Sequence, residues 1–328
     1  MNNLNSPLST SINELLTYAR LAPSAHNAQP WRFKVDGTVI SLNVNPERVL
    51  GSGDPTHREL WISLGICLET LLQAAKGLGI TTDVQSVQTD SLDEPVAKIS
   101  LSISQAKQPD VLRLIQDRYS YRGSMTHITL PNPLLEQCRQ LLTDLPDTSV
   151  FLMDDPASIN RIAKFTYQAM RLALSNPAFR KELARLINYN WSKSHVGMHG
   201  FALNRGLVGS IWEKWSIRLG LDIQRKASAD QRKIQESSGL VFIASKGDVP
   251  HYWFDAGRAY MRVALKLTEM NLAQSTLAAP VEAASFHEDI ENMLHTSDRI
   301  QSMIRIGKAS NDDKHRVVRS DISELLVT

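Results

Sequence analysis

The chain has 328 residues, 42% hydrophobic and 21% charged, a globular composition long enough for one large domain or two lobes. A net charge of +2 argues against the basic footprint that a nucleic-acid partner needs, and no apolar run approaches the ~20 residues of a membrane span, so neither nucleic acid nor membrane is expected as a partner. Cys67 and Cys138 lie far apart and form no disulfide framework; the opening residues lack a signal-peptide layout, and together these point to a cytoplasmic protein.

Residues 12–22 repeat apolar side chains at helical spacing, with Ile12, Leu15, Leu16, Ala19 and Ala22 on one face. Pro23 stops that helix, because the residue before a proline is pushed out of the α region. Ser24, His26 and Asn27 then form a polar turn, and Pro30 leads into an alternating strand at 31–35. Asp36-Gly37 is a hairpin signal, so residues 39–44 pair back on that strand. A loop at 46–56 precedes a long helix, about 57–78, closed by Gly79. Residues 96–103 alternate as a strand, 105–110 read as a linker, 133–143 as a helix and 150–153 as a short strand. Residues 157–236 read as two or three helices around a loop from Asn188 to Arg205.

The second half echoes the first. With Gly65 set on Gly257, a shift of 192 positions, Leu68 falls on Tyr260, Leu71 on Val263 and Leu78 on Met270. One helical face is repeated, and a strand follows each helix, at 96–103 in one half and 303–307 in the other. The spacing predicts two related lobes, 1–108 and 109–328, the second carrying the insertion at 157–236.

Two motifs carry chemistry. Ala22-Pro-Ser-Ala-His-Asn-Ala-Gln-Pro-Trp31 is a side-chain-rich turn held between a helix and a strand, where ligand sites are commonly placed. Arg118-Tyr-Ser-Tyr-Arg122 offers two guanidinium forks suited to a phosphate, with a hydroxyl between them for a sugar oxygen. The first closely resembles the Pro-Ser-x-x-Asn-x-Gln-Pro-Trp turn of the nitroreductase family of FMN flavoproteins. The second resembles that family's Arg-x-Ser-x-Arg clamp. The order is inverted here, since Asn27 precedes Arg118 by 91 positions. In single-lobe members the clamp comes first, and each flavin lies between the clamp of one subunit and the turn of the other. A fused pair needs only one motif per lobe to build one site, and the chain resembles the two-lobed, Acg-like branch of the family.

The resemblance implies an α+β fold of two fused lobes, each a mostly antiparallel sheet with helices. It implies one FMN per chain, with Pro23, Ser24 and Asn27 reaching across from the first lobe. Arg118 and Arg122 would hold the phosphate and Ser120 the ribityl chain. Leu277, Ala278 and Ala279 would present backbone to the ring edge. From the basic stretch of Lys308, Lys314, Arg316 and Arg319, the last two would reach the phosphate. The activity implied is NAD(P)H-dependent two-electron reduction of an electron-poor small molecule, nitroaromatic or quinone-like, by hydride transfer through flavin N5. The alternative is a protein that sequesters FMN under a lid with little turnover. Asn190 and Trp191, in an aromatic-rich part of the insertion, are candidate lid residues, with core filling as the other reading. His26 is the candidate proton donor, with water as its alternative. Internal fusion makes a monomer the expected state. His195 and His199 have i, i+4 spacing, but Gly197 and Gly200 argue for a loop, so no metal site is read there. No Gly-x-Gly-x-x-Gly occurs, so no Rossmann dinucleotide site is read either.

Overall fold

Two helices that cross at a pair of glycines organise the chain in the computed structural model, which describes residues 7–86, 91–103, 106–311 and 315–327. Residues 1–6, part of the 105–110 linker and Lys314, all read above from sequence, lie outside the described residues. The elements of the first part are α1 (Pro7–Ala19), β1 (Trp31–Asp36), β2 (Val39–Val44), α2 (Arg58–Leu78), β3 (Ile80–Ser86), β4 (Ala97–Ile103) and α3 (Pro109–Asp117). Then come β5 (Met125–Thr126), α4 (Leu134–Gln140) and β6 (Thr148–Met153). The insertion holds α5 (Pro156–Ser175), α6 (Pro177–Arg185), β7 (Ile187–Asn188), β8 (Met198–His199), α7 (Leu207–Leu219) and α8 (Ile223–Gln235). The remainder is β9 (Gly239–Ser245), α9 (Pro250–Glu269), β10 (Ala273–Thr276), α10 (Ala279–Glu282), α11 (Phe286–Leu294), β11 (Arg299–Ala309), α12 (Ile322–Leu325) and β12 (Leu326–Val327).

The strands form two main sheets, so the class is α+β. The first has the order β12-β1-β2-β4-β3, antiparallel except where β12 joins β1 in parallel. The second has the order β10-β11-β9-β6, antiparallel throughout, with β5 added on β11. The chain therefore returns at its end to the sheet it began with, pairing Phe33 with Leu326 and Lys34 with Val327. The β1–β2 hairpin turns on Gly37 and Thr38, with Gly37 at φ +57, which only glycine adopts at no steric cost.

The long α2 begins and ends by local chemistry. Both Asp54 carboxylate oxygens accept from free first-turn amides, those of Glu59 (3.0 Å) and Leu60 (2.8 Å). Gly79 closes the helix in the left-handed conformation. Between these ends α2 is buried nearly all round, with α1 and α3 packed on it and α9 crossing it.

At that crossing the contact is reciprocal. A Cβ on Gly65 would lie 1.9 Å from the Phe254 carbonyl oxygen, and one on Gly257 would lie 2.1 Å from that of Ile62. Ile62 and Phe254 are related by the same shift of 192 positions as the two glycines. The echo in the sequence is thus the axis of a near-twofold contact between backbones. Glu69, buried in α2, fixes its register on α9 by pairing with Arg258 (3.2 Å) and Arg262 (2.8 Å). Around the crossing one continuous core joins Phe33 and Ile99 of the first sheet to Val241 and Ile304 of the second. A smaller core lies on the other side of the second sheet, where Phe242 and Met303 meet Ile162 of α5 and Ile290 of α11.

The insertion contains four helices rather than two or three. Asn176-Pro177 divides what reads as one run: the Asn176 side chain accepts from the Ala178 amide at 2.9 Å, and Pro177 takes the first helical position. Gly220, at φ +70, separates α7 from α8.

Replacing either crossing glycine tests the arrangement. Gly65→Ala or Gly257→Ala should each cost about 3 kcal/mol, because backbone rather than a flexible side chain must move. Gly51→Ala, where a Cβ meets nothing within 4 Å, should change stability by less than about 0.5 kcal/mol. Urea unfolding midpoints of the three variants check this.

Candidate functional site

The turn after α1 is held in a strained conformation. His26 (φ 48), Asn27 (φ 59) and Gln29 (φ 53) all occupy the left-handed region, which costs a non-glycine residue on the order of 1 kcal/mol or more each. Buried hydrogen bonds repay that strain. The Asn27 side-chain nitrogen, Nδ2, donates to the carbonyls of Gly197 (2.8 Å) and Val318 (2.9 Å). The Gln29 side chain donates to the His195 carbonyl (2.7 Å) and accepts from the Ser320 amide (2.9 Å). The Ser24 hydroxyl accepts from the Gln29 amide at 2.9 Å, closing the turn on itself. The turn is therefore the knot that ties the insertion, at 195–197, and the C-terminal segment, at 318–320, to the first sheet.

The Arg118–Arg122 loop leaves the end of α3 and is held from behind. The Tyr121 amide donates to the Gln274 carbonyl at 2.8 Å. Arg305, fully buried in β11, donates to the carbonyls of Tyr121 (3.0 Å) and Gly123 (2.8 Å). Burial pushes the Arg305 guanidinium down to about 10, so it stays charged at neutral pH. The loop's own arginines face the other way, into a crevice between the turn, the loop and the C-terminal segment.

That crevice is open to solvent and holds about 560 Å³ of empty space, part of it open solvent. Pro23, Ser24 and Asn27 line one side, Arg118, Ser120 and Arg122 another, and Arg316 and Arg319 a third. Three of its arginines, Arg118 buried and Arg122 and Arg319 half-buried, have no carboxylate against them among the described residues. Arg118 is 6% exposed, and its Nε and Nη1 have no hydrogen-bond partner among those residues. Among the described residues, Arg122 reaches the Ser120 carbonyl (3.5 Å) and the Met198 sulfur (3.7 Å). Arg319 donates to the Asn27 side-chain oxygen and to the Leu21 carbonyl (3.4 Å), while its Nε has no partner among those residues. Burial, then Arg118 and Arg122, push the Arg319 guanidinium down to about 9. Burial likewise lowers Arg118 and Arg122. Arg316 sits at the mouth, donating to the Asp117 carbonyl at 3.2 Å and lying 5.9 Å from the Tyr119 ring centre. Buried cations without counter-charges are costly, and such a set is suited to a dianion such as a phosphate monoester.

Other candidates fall elsewhere. Leu277, Ala278 and Ala279 do not line the crevice; the Leu277 amide donates to the Met303 carbonyl at 3.2 Å, and Ala279 opens α10. Asn190 and Trp191 do not line it either. The Asn190 side chain is used within its own loop, donating to the Arg205 carbonyl (2.9 Å) and accepting from the Phe201 amide (2.7 Å). Trp191 is exposed and stacks on Tyr189 with ring centres 5.0 Å apart. His26 is half-buried, and burial lowers its pKa, with Arg122 adding to the effect against Glu59 and Glu182. His195 and His199 point to different partners, Glu324 (2.6 Å) and the Ser192 carbonyl (3.0 Å). His195, Asp321 and Glu324 bring ligand-type atoms within 4.8 Å of one another. There Arg20 already pairs with Asp321 (3.3 Å) and Arg48 with Glu324 (3.6 Å).

Sequence reading missed Gln29 as the second clasp of the knot, Arg305 as the brace of the arginine loop, and Tyr260, whose hydroxyl lies 3.0 Å from that of Thr276. A signal existed for Arg305, since a charge inside the apolar run Met303-Ile-Arg-Ile-Gly307 needs a buried task.

In an α+β chain, a strained polar turn thus faces a crevice lined by arginines. Relatives of the chain can be set beside that geometry. A Mycobacterium tuberculosis protein named provisionally as the NAD(P)H nitroreductase Rv3131 is 40% identical over 77 residues, which is 24% of this chain and 22% of that protein. The matching segment thus spans about a fifth of that relative. A Serratia protein named as the probable NAD(P)H nitroreductase PigM is 26% identical over 260 residues, 76% of this chain and 71% of that one. Among solved structures, the FMN-dependent nitroreductase NfnB of Mycobacterium smegmatis, in complex with NADPH, overlaps 65% of this chain and 94% of its own, with 14% identity and a TM-score of 0.42. No family model matches the chain. In both its sequence relatives and its two motifs the chain is similar to proteins named as nitroreductases.

Two outcomes are expected. Arg118→Met should raise the melting temperature of ligand-free protein by about 2 °C or more, because it removes an unpaired buried charge, and should abolish stabilisation by added inorganic phosphate. For His26, a folded pKa below the ordinary 6.5 means that the unfolded chain takes up a proton first as pH falls. Stability is therefore lost as pH drops below about 6.5, and His26→Gln should lose less between neutral pH and about pH 5 in urea midpoints.

Proposed function

We propose that the crevice holds the phosphate and ribityl arm of FMN, and that the protein is an NAD(P)H-dependent oxidoreductase acting on an electron-poor small molecule. The observation that carries this reading is the arginine set with no carboxylate against it among the described residues, above all the Arg118 Nε and Nη1 donors, which have no partner among those residues. A buried donor left without a partner costs about 1–3 kcal/mol, more when charged, and a phosphate oxygen would remove that cost. The residues fit the group. Arg118 and Arg319 would meet the phosphate most deeply, Arg122 would flank it, and Arg316 would close the mouth. Ser120 and Ser24 line the crevice at positions suited to ribityl hydroxyls.

When bound, the flavin supplies hydride acceptance and donation, which no side chain can perform. The chain's residues bind, orient and shield it. The knot at Asn27 and Gln29 fixes the wall formed by the first half. Arg305 fixes the loop contributed by the second half. His26, with its depressed pKa, is neutral at pH 7 and would accept or relay a proton more readily than supply one. The two halves are read as fused lobes, 1–108 and 109–328, and the reciprocal glycine crossing supports that division. A single clamp and a single turn then give one FMN per chain.

Denaturing purified protein should release about one FMN per chain, and anaerobic NADPH or NADH should bleach its visible absorbance. Bound flavin that resists both nucleotides yet yields to dithionite would overturn the oxidoreductase reading in favour of flavin sequestration. Protein that holds no flavin after incubation with FMN would overturn the site itself.

A further inference from the structure

One face of α7 is apolar and uncovered. Leu207 is 62% exposed, Val208 79% and Trp212 49%, and Ile211, Trp215 and Leu219 continue the same helical stripe. The opposite face, with Ser210 and Ile217 buried, packs on α6 and on the strand at Ile187–Asn188. Two tryptophans and a row of aliphatic side chains in water are costly, at roughly 25 cal/mol per Å² of apolar surface, and a stripe of this kind marks an interaction site. Trp191 extends it, since it stacks on Tyr189, and Lys214 of α7 lies 5.2 Å from the Tyr189 ring.

The charge around the stripe says what would cover it. Residues 157–236 carry 14 Lys and Arg against 5 Asp and Glu, a net +9, while the rest of the chain carries 22 against 29, a net −7. A chain that is nearly neutral overall therefore concentrates its positive charge on the segment that bears the apolar helix. Lys193, Arg205, Arg218 and Arg225 are exposed in and around α7, and Arg218 lies 5.6 Å from the Trp215 ring. We infer that α7 lies on an anionic lipid surface, its leucines and tryptophans entering the headgroup boundary while the arginines meet lipid phosphates. A second copy fits less well, because a twofold contact through this face would set Arg205 and Arg218 against their own copies. The expectation of no membrane partner rested on the lack of a spanning segment, and no helix here is long and apolar enough to cross a membrane among the described residues. An interfacial helix needs no such length.

The test uses the full chain and co-sedimentation with vesicles. Vesicles of phosphatidylcholine and phosphatidylglycerol in equal parts should bind the protein, with tryptophan emission shifted to the blue. Pure phosphatidylcholine should bind it about tenfold more weakly, as should raised salt. The Trp212→Ser/Trp215→Ser pair should lose about tenfold in binding. Leu207→Ser/Val208→Ser, at the most exposed positions, should do the same with an unchanged melting temperature, which separates docking from folding. No binding to the anionic vesicles, equal binding to neutral ones, or a concentration-dependent dimer abolished by the same substitutions would each overturn the proposal. None of these variants touches the crevice, so flavin content reports separately on the proposed function.

Discussion

The close approach of α2 and α9 is the constraint from which the rest follows. Two helices can bring their backbones this near only where side chains are absent, and Gly65 and Gly257 supply that absence on both sides of one axis. The crossing also decides where the site forms. At one end α2 touches the strained turn, with the Ala25 amide 3.4 Å from the Ser63 hydroxyl. At the other end Gly77 lies against Leu112 of α3, the helix that leads into Arg118. A single helix thus sets the position of both motifs, although they come from halves that share no strand pairing at that point. This is how a site built from residues 91 positions apart in sequence can still be rigid.

The same molecule treats buried arginine in two ways, and the contrast gives the crevice its meaning. Arg58, almost wholly buried, has Glu59 at 2.6 Å and Glu282 at 3.2 Å; burial alone would lower it, but these carboxylates win and raise it. Arg262 is raised in the same way by Asp144 and Glu69, which outweigh its burial. Arg118, Arg122 and Arg319 have no such carboxylate among the described residues and are all lowered. Arg305 is lowered too, and there the Tyr121 and Gly123 carbonyls take its donors in holding the loop. On the proposed function, the counter-charge for the crevice arginines comes from outside, and stability would be given up there for binding.

Much of this was legible because local chemistry and the fold agree. Pro30, Gly37 and Gly79 mark boundaries that the structure keeps, α1 ends at Ala19, ahead of Pro23, and the repeated helical face around Gly65 and Gly257 is a real contact. What escaped depends on information outside any short window. The left-handed turn at His26 and Gln29 is stabilised by carbonyls from residue 195 and an amide from residue 320, so no local rule calls for it. The stripe on α7 has the period of a core helix, and sequence spacing alone does not tell a face that meets protein from one that meets solvent. Leu277–Ala279 were placed by resemblance at the flavin ring edge; they are not among the residues lining the arginine crevice, where the phosphate arm was expected.

The crevice is walled by the beginning, the middle and the end of the chain, and that has a consequence for the protein's life in the cell. A ligand that bridges three such distant segments opposes unfolding of all of them together. Occupancy at a hundred times the dissociation constant would add about 2.7 kcal/mol to the folded state. On the proposed function, the empty form would keep its repelling arginines, unfold more readily, and be the better substrate for degradation. The amount of this protein would then follow the supply of its ligand with no change in transcription, so that the pool of protein itself records how much of the ligand is present.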